Sequence, residues 1–125
     1  RGLGDVYKRQ LGYEELMKLP VMCLEGNTST RTYVEQFLAS KQVTIRPEFE
    51  LATSDMLIQF AVRNLGIASV VRNFAEEHLT EGDLFELRFL EEIPARTFCI
   101  VANERIPLSA AAATLMNVLV QGTSQ

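Results

Sequence analysis

The stretch ATSDMLIQFAVRNLGIASVV, from Ala52 to Val71, constrains the fold of this chain more than any other. Thr53 or Ser54 is placed to cap a helix, and Asp55 sits favourably against its positive end. Leu57, Phe60, Ala61 and Leu65 share one face of a 3.6-residue period. Gly66 reads as the left-handed residue that stops the helix, and IASVV follows at once as a strand. Such a unit builds core on one side and leaves the helix N-terminus open at the far end.

The text before and after repeats this alternation. VMCLE, residues 21 to 25, is a short buried strand, and GNTST is a loop of turn and capping residues in which Thr28 or Ser29 caps the next helix. In RTYVEQFLASKQ the apolar face is Tyr33, Val34, Phe37 and Leu38. VTIRPEFELA alternates as a strand, but Pro47 removes a ladder donor, so pairing starts after it or at an edge. RNFAEEHLTEGDL predicts a short helix closed by Gly82 with Phe74 and Leu79 inward. FELRFL alternates as an outer strand, EEIPAR connects, and TFCIVA predicts a strand covered on both faces. The last element, PLSAAAATLMNVLVQG, has Ser109 as cap, Leu115, Met116 and Leu119 inward and Gly122 as stop. Alternating strands and helices imply an α/β sandwich with a mostly parallel sheet, and ligands of such sheets gather at the carboxyl ends of the strands. Two loops arrive there, EGNTSTR and ELATSD.

Composition closes off several functional classes. At 125 residues, with 47% hydrophobic and 22% charged residues, the chain is of domain size and can bury a core. No apolar run has the length of a membrane span. The net charge of -4, with Lys and Arg scattered, leaves no basic patch for a phosphate backbone. Cys23 and Cys99 both lie in strand-like apolar runs and read as buried core thiols, with neither a disulfide framework nor a metal site. The absence of a secretory hydrophobic segment favours a cytoplasmic origin. Residues 1–10, RGLGDVYKRQ, differ from the rest in period and composition and are set aside as a non-native or truncated leader.

Little in the sequence supports catalysis. His78, the single histidine, lies among surface acids, and Glu76, Glu77, Glu81 and Asp83 form a solvated face without the converging loop of a hard-metal site. No nucleophile elbow, phosphate loop or paired zinc ligands occur. No catalytic residue, metal or cofactor is expected. The loop GNTST instead offers hydroxyls and an amide beside unsatisfied backbone N–H groups, suited to a carboxylate or other small anion, with Arg31 adding charge. At the second loop Asp55 disfavours a bare anion, so a neutral or zwitterionic group fits better there.

In order, ELATSDMLIQFAVRNLGIASVV, FAEEHLTEGDLFELRF, IPARTFCIV and PLSAAAATLMNVL resemble the effector-binding domain of LysR-type transcriptional regulators. The likeness runs from about Pro20 to Leu119. It implies a periplasmic-binding-protein-like (type II) three-layer sandwich with a small-molecule effector between two subdomains. Residues 11–94 would be the second subdomain, and residues 95–125 the returning strand and final helix of an incomplete first one. The site implied by the resemblance is Asn27, Thr28, Ser29, Thr30 and Arg31, then Thr53 and Ser54, with Val70 as an apolar lining residue. Thr28, Ser29 and Thr53 are expected to share one concavity. The resemblance further implies a homodimer or homotetramer, and DNA contact only through a winged helix-turn-helix outside this sequence. Val71 stands where many members have proline, and Asn64-Leu65-Gly66 replaces their Gly-Leu-Gly. Half of a solute-binding transport protein of the same architecture is the alternative, and a small enzyme on an α/β scaffold a third.

Overall fold

The structure, a computed structural model, describes residues 9–122. Its centre is β2 (Val21–Leu24), all four of whose residues are buried. β3 (Phe49–Leu51) and β4 (Ile67–Ala68) flank it, both parallel to it, in the order β3-β2-β4. Leu24 pairs with Leu51 and Val21 with Ile67. Pairing of β3 begins beyond Pro47, as a residue without an amide hydrogen requires. A second, two-stranded parallel ladder joins β1 (Gln10–Leu11) to β5 (Arg88–Phe89). Gln10, set aside with the leader on sequence grounds, is thus paired with Arg88.

Two helices cover the central sheet, one on each face, because successive residues of β2 point to opposite sides. Val21 and Cys23 pack with Leu38, Val34 and Phe37 of α1 (Ser29–Ser40). Met22 and Leu24 pack with Leu57, Phe60 and Ala61 of α2 (Ser54–Val62). Leu38 and Leu57 are 1% and 0% exposed, so each helix is fastened by one fully buried leucine. Ile58 is the other buried residue of α2; Leu65, expected inward, is exposed because the helix has already ended at Val62.

The stop of α2 also differs from expectation. Asn64, at φ 60, takes the left-handed conformation, and Gly66 does not. Asparagine tolerates that region at little cost. Gly66 serves another purpose: a Cβ there would lie 2.6 Å from the Pro20 carbonyl, which accepts the Ile67 amide that starts β4. Glycine is needed so that the chain can pass β2 closely.

After β4 a short 3-10 turn, Arg72–Ala75, runs into α3 (Glu76–Glu81), and Gly82 closes it at φ 84. Ala75 is the buried residue of this segment, whereas Phe74, expected inward, is exposed. Phe74 and Leu79 are five positions apart, about 140° around a helix, so they cannot share a face; Ala75 and Leu79 can.

The chain divides into two compact units between Ile93 and Pro94. In the second, α4 (Ala110–Gly122) is capped by Ser109, whose hydroxyl accepts the Ala112 amide at 3.1 Å. TFCIVA is not a strand, contrary to the sequence reading, and Cys99, expected buried, is exposed. Leu115 and Leu119, expected inward, are exposed as well. An apolar run becomes a covered strand only when neighbouring strands satisfy its amides and helices cover its faces, and no strand pairs with it among the described residues. No helix among those residues is long and apolar enough to cross a membrane.

Candidate functional site

The carboxyl ends of β2 and β3 lie side by side, tied by the Glu25 amide to the Leu51 carbonyl at 3.0 Å. From this shared rim the two chains diverge, one into α1 on one face of the sheet and the other into α2 on the opposite face. Ligands of wound sheets bind outside the carboxyl ends of the strands, where the loops into helices lie. Both turns, Gly26 to Thr28 and Ala52 to Thr53, leave from these strand ends.

Each turn is built by a threonine cap. The Thr28 hydroxyl accepts the Arg31 amide at 3.2 Å and donates to the Glu25 carbonyl at 3.0 Å, closing the turn after β2. The Thr53 hydroxyl accepts the Met56 amide at 3.2 Å. Of the two candidates at each helix start, threonine is therefore the cap. Asn27 and Ser29 are exposed, and Thr30 is half-buried.

Arg31 is drawn inward. Its Nη1 donates to the Leu24 carbonyl at 2.8 Å and lies 3.5 Å from Glu50, while its Nε donates to Glu35 at 2.6 Å. Burial by itself would lower its pKa, but the hydrogen bond and charge of Glu35, with Glu50 behind, raise it, so the guanidinium is held charged. This side chain fastens the end of β2 to α1 and to β3.

A shallow concavity of about 270 Å³ is lined by Thr53, Ser54, Asp55 and Phe74. Thr28 and Ser29 do not line it. The expected single concavity is thus divided, because α1 and α2 start on opposite faces. Val70 does not line it either; it packs against the Met22, Leu24 and Leu57 cluster beneath. Phe74 is a lining residue that the sequence reading missed, and Asp55 lines the concavity at the loop where the sequence had placed it as disfavouring a bare anion. The Phe74–Leu79 spacing, incompatible with a common inward face, was the available signal for the first.

Elsewhere the chemistry is sparse. His78 Nδ1 lies 3.4 Å from Asp83, and a carboxylate oxygen of Glu81 is within 4.8 Å of both. Both acids are exposed, as on a solvated face. Cys23 is buried, and burial pushes its thiol pKa up, away from reactivity.

Residues 6–124 match the family model described as the LysR substrate binding domain. No curated protein matches the chain.

Proposed function

The chain belongs to the family of LysR substrate binding domains, whose fold is periplasmic-binding-protein-like, and from that premise we propose that it senses a small metabolite for a DNA-binding regulator. Domains of this family belong to regulators rather than enzymes. The observation that supports the reading is the departure of two threonine-capped turns from adjacent strand ends at one rim of the sheet.

In this reading Asn27, Thr28, Ser29 and Thr30 form one wall of the effector site. Thr53 and Ser54 form the other, beside Phe74, and Val70 supports the floor. Arg31 is a positioning residue, since its guanidinium is engaged by Leu24, Glu35 and Glu50. The α1 turn suits a carboxylate or other anionic group through its backbone amides. The α2 turn, with Asp55 at its lip, suits a neutral or cationic one, so a zwitterion spans both. No cofactor is required. The sensor works in the cytoplasm as a homodimer or homotetramer and reaches DNA through a separate winged helix-turn-helix. The effector acts only through its different affinity for two arrangements of the regulator.

A thermal-shift series with amino acids and aromatic carboxylic acids tests this. A true effector at a hundred times its Kd stabilises by about 2.7 kcal/mol. Ser54→Ala should shrink that shift while leaving the unliganded midpoint nearly unchanged. A panel hit whose shift is the same in Ser54→Ala and in a Ser29→Ala, Thr30→Ala double variant would refute the site.

A further inference from the structure

We propose that Lys41 and Tyr13 form a latch on Glu91 that roots the chain where it leaves the first unit. The inference is independent of the effector reading and starts from a weak point in the fold. β1 and β5 share only two residue pairs, Gln10 with Arg88 and Leu11 with Phe89, extended by the Leu90 amide to the Leu11 carbonyl at 3.1 Å. Two strands by themselves are marginal in water, so a ladder this short is held by the side chains around it. Leu11 is fully buried, and Phe89 packs against the cluster that contains Tyr13, Cys23 and Leu38. Beyond Phe89 the chain leaves that core, with Leu90 74% exposed.

Glu91 comes next and is gripped from two elements. Tyr13, at the start of the 3-10 segment Tyr13–Lys18, donates its hydroxyl to the Glu91 carbonyl and stacks on Phe89. Lys41, the C-terminal cap of α1, places its Nζ 2.5 Å from Glu91 Oε2. Phe37 joins the two grips, since its ring meets Tyr13 edge-on at 5.2 Å and lies 5.6 Å from the Lys41 ammonium. One bond would let Glu91 swivel; a main-chain bond and a side-chain bond to different elements do not. The two differ in kind. Tyr13 is buried, and its hydrogen bond is insensitive to salt, whereas the side chains of Lys41 and Glu91 are 34% and 62% exposed, so their attraction is weak and screened. The latch therefore has a firm half and a half that ionic strength loosens. Pro94, where the second unit begins, follows three positions later. With the latch closed the tether to that unit starts at Glu92; with it open, the tether lengthens back into β5.

Hydrogen exchange of the Leu90 amide in the full 125-residue chain reads the latch directly. Lys41→Met and Tyr13→Phe keep the apolar body of each side chain and remove only its polar end. Each should speed exchange at Leu90 several-fold more than at Ile67 and Ser69, whose amides bond to Pro20 and to β2 at the other sheet. Salt at ~1 M, where the screening length is about 3 Å, should speed Leu90 in the wild type and leave Lys41→Met unchanged. Lys41→Glu combined with Glu91→Lys should restore the slow exchange that either reversal alone loses. Leu90 exchange unmoved by both Lys41→Met and Tyr13→Phe would overturn the proposal. So would an acceleration equal at Leu90, Ile67 and Ser69, which would mean that the two side chains support the whole fold and hold no latch.

Discussion

Gly66 owes its place to what lies opposite it. The Pro20 carbonyl, 2.6 Å from the position of a missing Cβ, has no room to yield while it holds the Ile67 amide at 2.8 Å. Gly66→Ala should therefore destabilise the fold by about 1–3 kcal/mol, the usual cost of overpacking. Asn64→Gly, at the left-handed position, should leave stability unchanged or raise it by a few tenths. Urea midpoints check both, and the reverse order would assign the left-handed role to Gly66 after all. The sequence showed that the helix must stop near residue 65, but a glycine needed for φ and one needed for clearance look alike until the neighbouring strand is in place.

A second residue, Tyr13, couples the fold to pH. It is 6% exposed, stacks on Phe89 at 4.4 Å between centroids, and donates its hydroxyl to the Glu91 carbonyl. Burial, and then the charges of Glu91 and Glu92, raise its pKa above the ordinary phenol value. The folded state therefore holds this proton more tightly than the unfolded one. The associated stability is fully present below the ordinary tyrosine range and is lost as pH rises through the raised value. Alkaline unfolding of the wild type should be steeper than that of Tyr13→Phe in urea melts between pH 9 and about 11, the range where phenols ionise. Parallel alkaline limbs would remove Tyr13 as the source.

At the scale of elements, caps and site donors separate. Thr53→Ala removes the acceptor of the Met56 amide and should cost about 1 kcal/mol. Ser54→Ala, just inside the helix, should cost no more than a few tenths. Chemical denaturation distinguishes them, and equal losses would mean that the two share the cap. β2, α1 and α2 were legible in the sequence because cap, period and punctuation agreed there, as they do wherever local and global preferences coincide. Thr53 and Ser54 could not be separated, since either hydroxyl satisfies the same orphan amide. Phe74 was misplaced because an apolar residue near a helix start was read by hydrophobicity alone, without its angle to Leu79. TFCIVA was misread for a different reason: a strand is a property of its neighbours as much as of itself, and its apolar run specifies neither.

For the whole molecule, the parallel order β3-β2-β4 with α1 and α2 on opposite faces follows from right-handed crossovers on either side of a central strand. That arrangement starts the two helices on opposite faces, which is why Thr28 and Ser29 do not line the concavity of Thr53 and Ser54. The two thiols report on the two units. Cys99 is exposed and Cys23 is 4% exposed within the central strand. A disulfide reagent at neutral pH should consume one thiol at once and the second only at the rate of unfolding. Two fast thiols would mean that β2 is not the centre of the core. How far the candidate site could be read in advance was limited by this same topology, since loop chemistry identifies donors but not the face from which each is presented.

In the proposed function a small molecule is held at the carboxyl rim of β2 and β3. Amide chemical-shift mapping on the 125-residue chain tests it most directly, using the compound from the amino-acid and aromatic-acid panel that raises the melting temperature most. Perturbations should concentrate at residues 26–31 and 53–55, with the C-terminal turn of α1 unmoved. Perturbations that spare both turns and gather elsewhere would contradict it.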